Sequence, residues 1–129
     1  MKRNRMILAV ALLLTVVAVA QNENTDMQTL DAKQLYDAFK QDAAEPFMGK
    51  QQITGIATYV GPDVYGLPSV ELSESKTAAG RVLCVLPFSD YLKLRKVTKG
   101  ETITMEGNVL GFAEQYDIVV VKQCKIVAQ

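Results

Sequence analysis

The chain contains no histidine. That absence excludes the Ser-His and Cys-His pairs by which most nucleophilic sites are activated. Only two cysteines are present, Cys84 and Cys124, so a structural zinc site lacks its usual ligands and no metal or cofactor is expected. A glycine-rich phosphate loop is missing too: Gly61 and Gly66 flank prolines and precede no helix. Acidic candidates such as Glu71, Glu106 and Glu114 alternate outward on strands or sit in loops, which is ordinary surface chemistry. The residues therefore point away from an enzyme, and none is assigned a catalytic role.

Positive charge is scarce once the N-terminus is set aside. Lys2, Arg3 and Arg5 precede an apolar run from Met6 to Ala20 that only Thr15 interrupts. Ala18-Val19-Ala20 puts small residues where signal peptidase reads, which predicts a signal peptide over 1–20 cleaved after Ala20. The run is shorter than the ~20 residues that span a bilayer, which weakens the alternative of an uncleaved anchor; a membrane is expected as partner only through such an uncleaved leader. No cysteine lies near the cleavage region, which removes lipid attachment at a new N-terminal Cys. Of 14 Lys plus Arg, three lie in the leader, leaving 11 against 14 Asp plus Glu and a mature charge near −3. This balance argues against general phosphate-backbone affinity. The local cluster Lys93, Arg95, Lys96 and Lys99 reads as a solvated face complementing a short helix C-terminus.

Export also bears on the cysteines. An oxidising compartment allows a disulfide, and only the Cys84–Cys124 pairing exists within the chain. Closing a loop of about 40 residues would stabilise by roughly 2–4 kcal/mol. The alternative is two buried thiols acting as small hydrophobes.

At 129 residues, the chain has room for one domain. Residues 21–29 are polar and read as a flexible linker, and residues 30–129 form the folded unit. A helix is predicted near Asp31 to Lys40. Asp31 and Gln34 have capping-box spacing, and Leu35, Ala38 and Phe39 fall on one face for burial. Strands follow at Gln51–Val60, Ser69–Ser73 and Arg81–Leu86, the last apolar on both faces. Ser89 can cap a short helix through Leu94. The next strand alternates strictly, with Ile103 and Met105 opposite Thr102, Thr104 and Glu106. Gly55 and Gly107 read as bulges or bends; at Gly55 a bulge would reconcile the phases of Ile53 and Ile56. Leu110–Gln115 reads as a loop. In the last strand, Tyr116–Val127, Ile118, Val120, Cys124 and Ile126 share one face and Val119 and Val121 the other. Three strands, a short helix and two strands, with glycine bends in the first and fourth, is the plan of a five-stranded oligonucleotide/oligosaccharide-binding (OB) barrel.

The same stretches, taken in order, resemble a family. Leu35-Tyr36-Asp37-Ala38-Phe39 precedes Gly49-Lys50, Ile53-Thr54-Gly55, Val82-Leu83-Cys84, Lys99 to Gly107 and Cys124-Lys125-Ile126. This set is similar to the tRNA_anti-like family of bacterial exported OB-fold proteins, over roughly Leu30 to Val127. Many relatives are lipoproteins, and this chain departs from them in lacking a lipobox cysteine. The resemblance implies a mainly β barrel whose third and fifth strands are neighbours, bringing Cys84 and Cys124 onto adjacent strands.

An OB barrel binds on the face of strands two and three and in the loops joining strands one to two and four to five. Tyr59, Tyr65, Phe112 and Tyr116 fall in or beside those loops and are the candidate ligand residues. The competing reading makes Tyr59 and Tyr116 barrel plugs and Phe112 a loop anchor. The expected function is a non-enzymatic, exported binding module of the bacterial cell envelope, its partner an envelope protein, peptide or saccharide. The alternatives are a structural or protein-interaction domain of the envelope and, by analogy of fold alone, a nucleic-acid-binding OB domain.

Overall fold

The alternation after Gly100 does what period two dictates. Ile103, Met105 and Val109 are buried inside strand β5 (Thr102–Ala113), with Gly107 in the same inward row. The computed structural model describes residues 28–76 and 80–129. The leader, its cleavage after Ala20 and most of the 21–29 segment lie outside the described residues. The elements are β1 (Thr29–Asp31), α1 (Ala32–Lys40), a 3-10 turn (Glu45–Phe47), β2 (Gly49–Pro62), β3 (Pro68–Ser73) and β4 (Val82–Val85). A 3-10 helix (Phe88–Lys96), then β5 and β6 (Ile118–Ala128), complete the chain. No described helix is long and apolar enough to cross a membrane.

The strands pair in the order β1-β2-β3-β4-β6-β5, and a further β2–β5 pairing closes the ring. The result is a five-stranded mixed barrel with the OB connectivity, mainly β, with helices at its flanks. The only parallel pairing within the barrel is β4–β6. The fourteen residues of β2 exceed what one neighbour can use. Its second half pairs with β3, and its first half is covered by β1, at Thr29↔Gln52 to Asp31↔Thr54. Thr29 therefore belongs to a strand and not to the linker.

The expected capping box does not form: Asp31 pairs with Thr54 and has the extended backbone usual at an N-cap (φ −73°, ψ 142°), but its side chain makes no cap hydrogen bond. The helix is held by packing instead. Ala32, Leu35 and Ala38 are buried, while Phe39, expected to be buried with Leu35, is only half-buried and leans on Phe112. Close approach depends on two glycines. A Cβ on Gly55 would lie 3.1 Å from the Ala32 Cβ, and one on Gly80 would lie 2.6 Å from the Lys33 Cα.

Gly55 is thus a contact point, not a bulge. Ile53, Gly55 and Ala57 keep one inward phase, and Ile56 faces outward half-buried. The β2 irregularity falls between Ala57 and Tyr59. At Gly107 the β5–β6 register shifts, but the extra residue lies opposite, on β6. Glu106 pairs with Lys125 and Asn108 with Lys122, so one intervening residue faces two, Gln123 and Cys124. Gln123 adopts φ +52° and switches the phase of β6. Cys124 consequently joins Val119 and Val121 inside, where simple alternation would have set it with Val120. The 3-10 helix starts at Phe88 with no side-chain cap from Ser89, and it anchors through buried Leu94 and, just beyond, Val97.

Candidate binding groove on the barrel face

β5 runs on to Ala113, so the predicted loop Leu110–Gln115 shrinks to the turn that precedes β6. Phe112 accordingly sits in a strand, opposite Val119, and not at a loop tip. Its ring is half-buried, edge-on to Tyr36 at 5.9 Å and stacked on Phe39 at 6.1 Å, with Lys40 Nζ 5.3 Å from its centroid. It joins α1 to the barrel.

The other three candidates converge elsewhere. Tyr59, Tyr65 and Tyr116 line one groove of about 530 Å³ on the outer face of β3, β4 and β6. Tyr59 and Tyr116 are 42% and 51% exposed, which rules out a plugging role inside the barrel. The floor is apolar, built from outward-facing Leu83, Val85, Ile118 and Val120. A second hollow, of about 580 Å³, is lined by Lys76, Lys99 and Gly100 and shares Tyr59 and Glu71 with the first.

The rim is held by hydrogen bonds within its own loops. In the β2–β3 loop the Asp63 Oδ1 accepts the N–H groups of Tyr65 and Leu67, both at 2.9 Å, while Gly66 turns the chain at φ +83°. The Tyr59 hydroxyl donates to the Pro62 carbonyl at 2.6 Å, pinning its ring over Gly61. Tyr65, at 83% exposure, projects from this braced loop. Across the groove, Arg81 grips Glu71 with two nitrogens, at 2.8 and 3.3 Å, and donates to the Tyr116 carbonyl at 3.0 Å. The next residue, Asp117, accepts the Tyr36 hydroxyl at 2.8 Å and Lys40 at 3.3 Å. The β5–β6 turn is therefore tied both to the barrel and to α1.

Electrostatically the groove is balanced. Glu71 neutralises Arg81 and holds its guanidinium above the ordinary value, chiefly through their hydrogen bond. Lys122 stands against Asp63 in the remaining lining. Among the described residues, no cluster of three His, Cys, Asp or Glu could hold a metal ion. Cys84 and Cys124 lie apart from the groove, buried, and are free thiols in the structure. β4 and β6 are indeed neighbours, but Cys84 stands opposite Val121, not Cys124. The Cys124 hydrogen bond and burial push the Cys84 thiol well above its usual range.

Sequence reasoning missed the Glu71–Arg81 clamp and the apolar floor. A signal for the floor was present: β4 and the start of β6 are apolar on both faces, and of the outer set Leu83 and Val120 stay half-buried while Val85 and Ile118 are buried.

The sequence model of the tRNA_anti-like family matches residues 1–125. The fold is also similar to the crystal structure of a putative nucleic acid-binding lipoprotein from Klebsiella pneumoniae subsp. pneumoniae MGH 78578. That similarity has a TM-score of 0.62 at 18% identity, covering 85% of this chain and 95% of that one, and it is a likeness of fold. No curated protein matches the chain. With a match spanning nearly the whole sequence and the closed β2-β3-β4-β6-β5 barrel of an OB fold, the chain belongs to the tRNA_anti-like family of OB-fold proteins.

Proposed function

We propose that this protein is a non-enzymatic, exported binding module of the bacterial cell envelope, and that it takes a peptide or saccharide in the Tyr59–Tyr65–Tyr116 groove. The observation that carries this reading is the pairing of an aromatic rim on hydrogen-bonded loops with an apolar floor on the face OB barrels use for ligands. Tyr59 is held through its hydroxyl, and Tyr65 and Tyr116 stand on braced backbone, so less freedom is lost when a ligand stacks on them. The charge balance favours a ligand without a phosphate backbone, because Arg81 is already committed to Glu71. Export to the periplasm or envelope, with cleavage after Ala20, is supported by the leader pattern and by the lipoprotein character of the Klebsiella neighbour.

That neighbour's nucleic-acid description supplies the competing reading, in which the tyrosines stack bases. Titrating isotope-labelled protein with a peptide library, with envelope oligosaccharides and with single-stranded RNA separates the two. Amide shifts around Tyr65, Leu83, Tyr116 and Val120 on addition of peptide or sugar are expected, with RNA binding weak and strongly salt-dependent. Submicromolar RNA binding at physiological salt would replace this reading with the nucleic-acid one.

A further inference from the structure

The 3-10 helix carries a surface that the groove does not use. Phe88 and Leu92 are 68% and 69% exposed, and the Phe88 ring meets exposed Tyr91 edge-on at 6.1 Å. Flanking anchors hold these side chains outward. Leu86 donates its N–H to the Pro68 carbonyl at 2.8 Å, and Leu94 and Val97 are buried. Only alternate parts of this short element reach the core, so the remaining apolar residues face outward.

Charge says what would cover them. In a mature chain near −3, Lys33, Lys40, Lys50, Arg81, Lys93 and Lys125 all stand in ion pairs. On this helix Arg95 and Lys96 are exposed and make no ion pair among the described residues; Lys99 just beyond it, and Lys76 and Lys122 elsewhere, are unpaired too. Uncommitted cations on and just after the helix that carries exposed Phe and Leu side chains match an anionic interface with an apolar layer beneath it. Leu92 has no ring to stack on a base, and neither hollow described above is lined by a residue of this helix, which favours lipid over nucleic acid.

We propose that the Phe88–Lys96 helix docks the barrel on an anionic lipid bilayer. Phe88 and Leu92 enter the acyl boundary while Arg95, Lys96 and Lys99 meet the headgroups. This contact is separate from any hold that the leader provides, and it does not depend on the groove's ligand.

The chain has no tryptophan, so one placed by substitution reports its own surroundings. The full chain carrying Phe88→Trp is mixed with phosphatidylglycerol vesicles and, separately, with phosphatidylcholine vesicles. The leader's apolar run can partition by itself, so the readout is the emission of the residue-88 reporter and not binding. A blue shift on phosphatidylglycerol and none on phosphatidylcholine is expected. Leu110→Trp, on β5 at a site 57% exposed, should remain unshifted, which confines the response to the residue-88 face. Replacing Arg95 and Lys96 by Gln should raise the lipid concentration for half the shift by roughly fivefold per cation, about 25-fold together. No shift on phosphatidylglycerol, or an equal shift on both lipids, overturns the proposal. So does quenching of the residue-88 reporter by single-stranded RNA without a lipid response, which would assign this face to nucleic acid.

Discussion

Phe112 and Tyr65 look alike in the sequence, as aromatics near glycines at predicted loops, and the structure gives them opposite work. Phe112→Ala removes a half-buried ring together with its contacts to Tyr36, Phe39 and the Lys40 ammonium. Full burial of a phenylalanine is worth about 3–5 kcal/mol on truncation, and a ring pair adds about 0.5–1.5 kcal/mol. Half burial with two ring partners gives roughly 2–3 kcal/mol. For a domain of this size that lowers Tm by about 10–20 °C. Tyr65→Ala removes a side chain that is 83% exposed and has no core contact, so its cost should stay below about 0.5 kcal/mol. Thermal unfolding followed by far-ultraviolet circular dichroism measures both. Ligand binding per folded molecule should survive Phe112→Ala at temperatures below its melting and weaken in Tyr65→Ala. If Phe112→Ala melts with the wild type, α1 is not docked through this ring. If Tyr65→Ala melts far below it, Tyr65 is a structural cap and the groove reading loses its outer wall.

Three further outcomes follow from particular contacts. A Cβ at Gly107 would fall 2.6 Å from the Cys124 Sγ and 2.9 Å from the Lys122 carbonyl oxygen, so Gly107→Ala should cost about 1–3 kcal/mol in urea unfolding. Adding Cys124→Ala should recover only part of that loss, because the carbonyl remains in the way. The Tyr36–Asp117 contact should give the stability curve two edges. The Tyr36 hydroxyl, with help from Lys40, holds Asp117 below its usual 3.8, so its stabilisation is present above that value and lost as pH falls through the lower folded value. Tyr36 is raised above 10.0, first by that same hydrogen bond, so its share is complete below 10.0 and lost as pH climbs through the folded value. Melting curves across pH should show Tyr36→Phe weakening the alkaline edge, with a part left because Asp37 and Asp117 also raise Lys33 and Lys40, and an unchanged alkaline edge in that variant would refute the assignment. Finally, neither Cys84 nor Cys124 should react with a thiol reagent in the native protein, and two thiols should appear in denaturant. Zero thiols after unfolding would mean that the protein carries the disulfide.

The sequence by itself determined the barrel, because strand periodicity and turn residues are local properties. Ile103 and Met105 had to face inward once Thr102, Thr104 and Glu106 took the other side, and the order of strands left few topologies open. It also marked three tyrosines that do meet in one groove, since loops of an OB barrel are set by strand order. The phase of β6 was not legible. A bulge at Gln123 is decided by the room that Gly107 leaves on the facing strand, and a contact between residues far apart in the chain leaves no periodic trace. Gly55 was misread for the same reason, because what it meets is Ala32 on the docked helix, not a kink of its own strand. Phe112 turned from rim to helix anchor when pairing with β6 extended β5 past Gly111. The groove floor is decided by tertiary packing, which buries Val85 and Ile118 and leaves Leu83 and Val120 half-buried. Apolar residues on both faces of a strand announce burial, and only the assembled barrel shows which of them stay accessible.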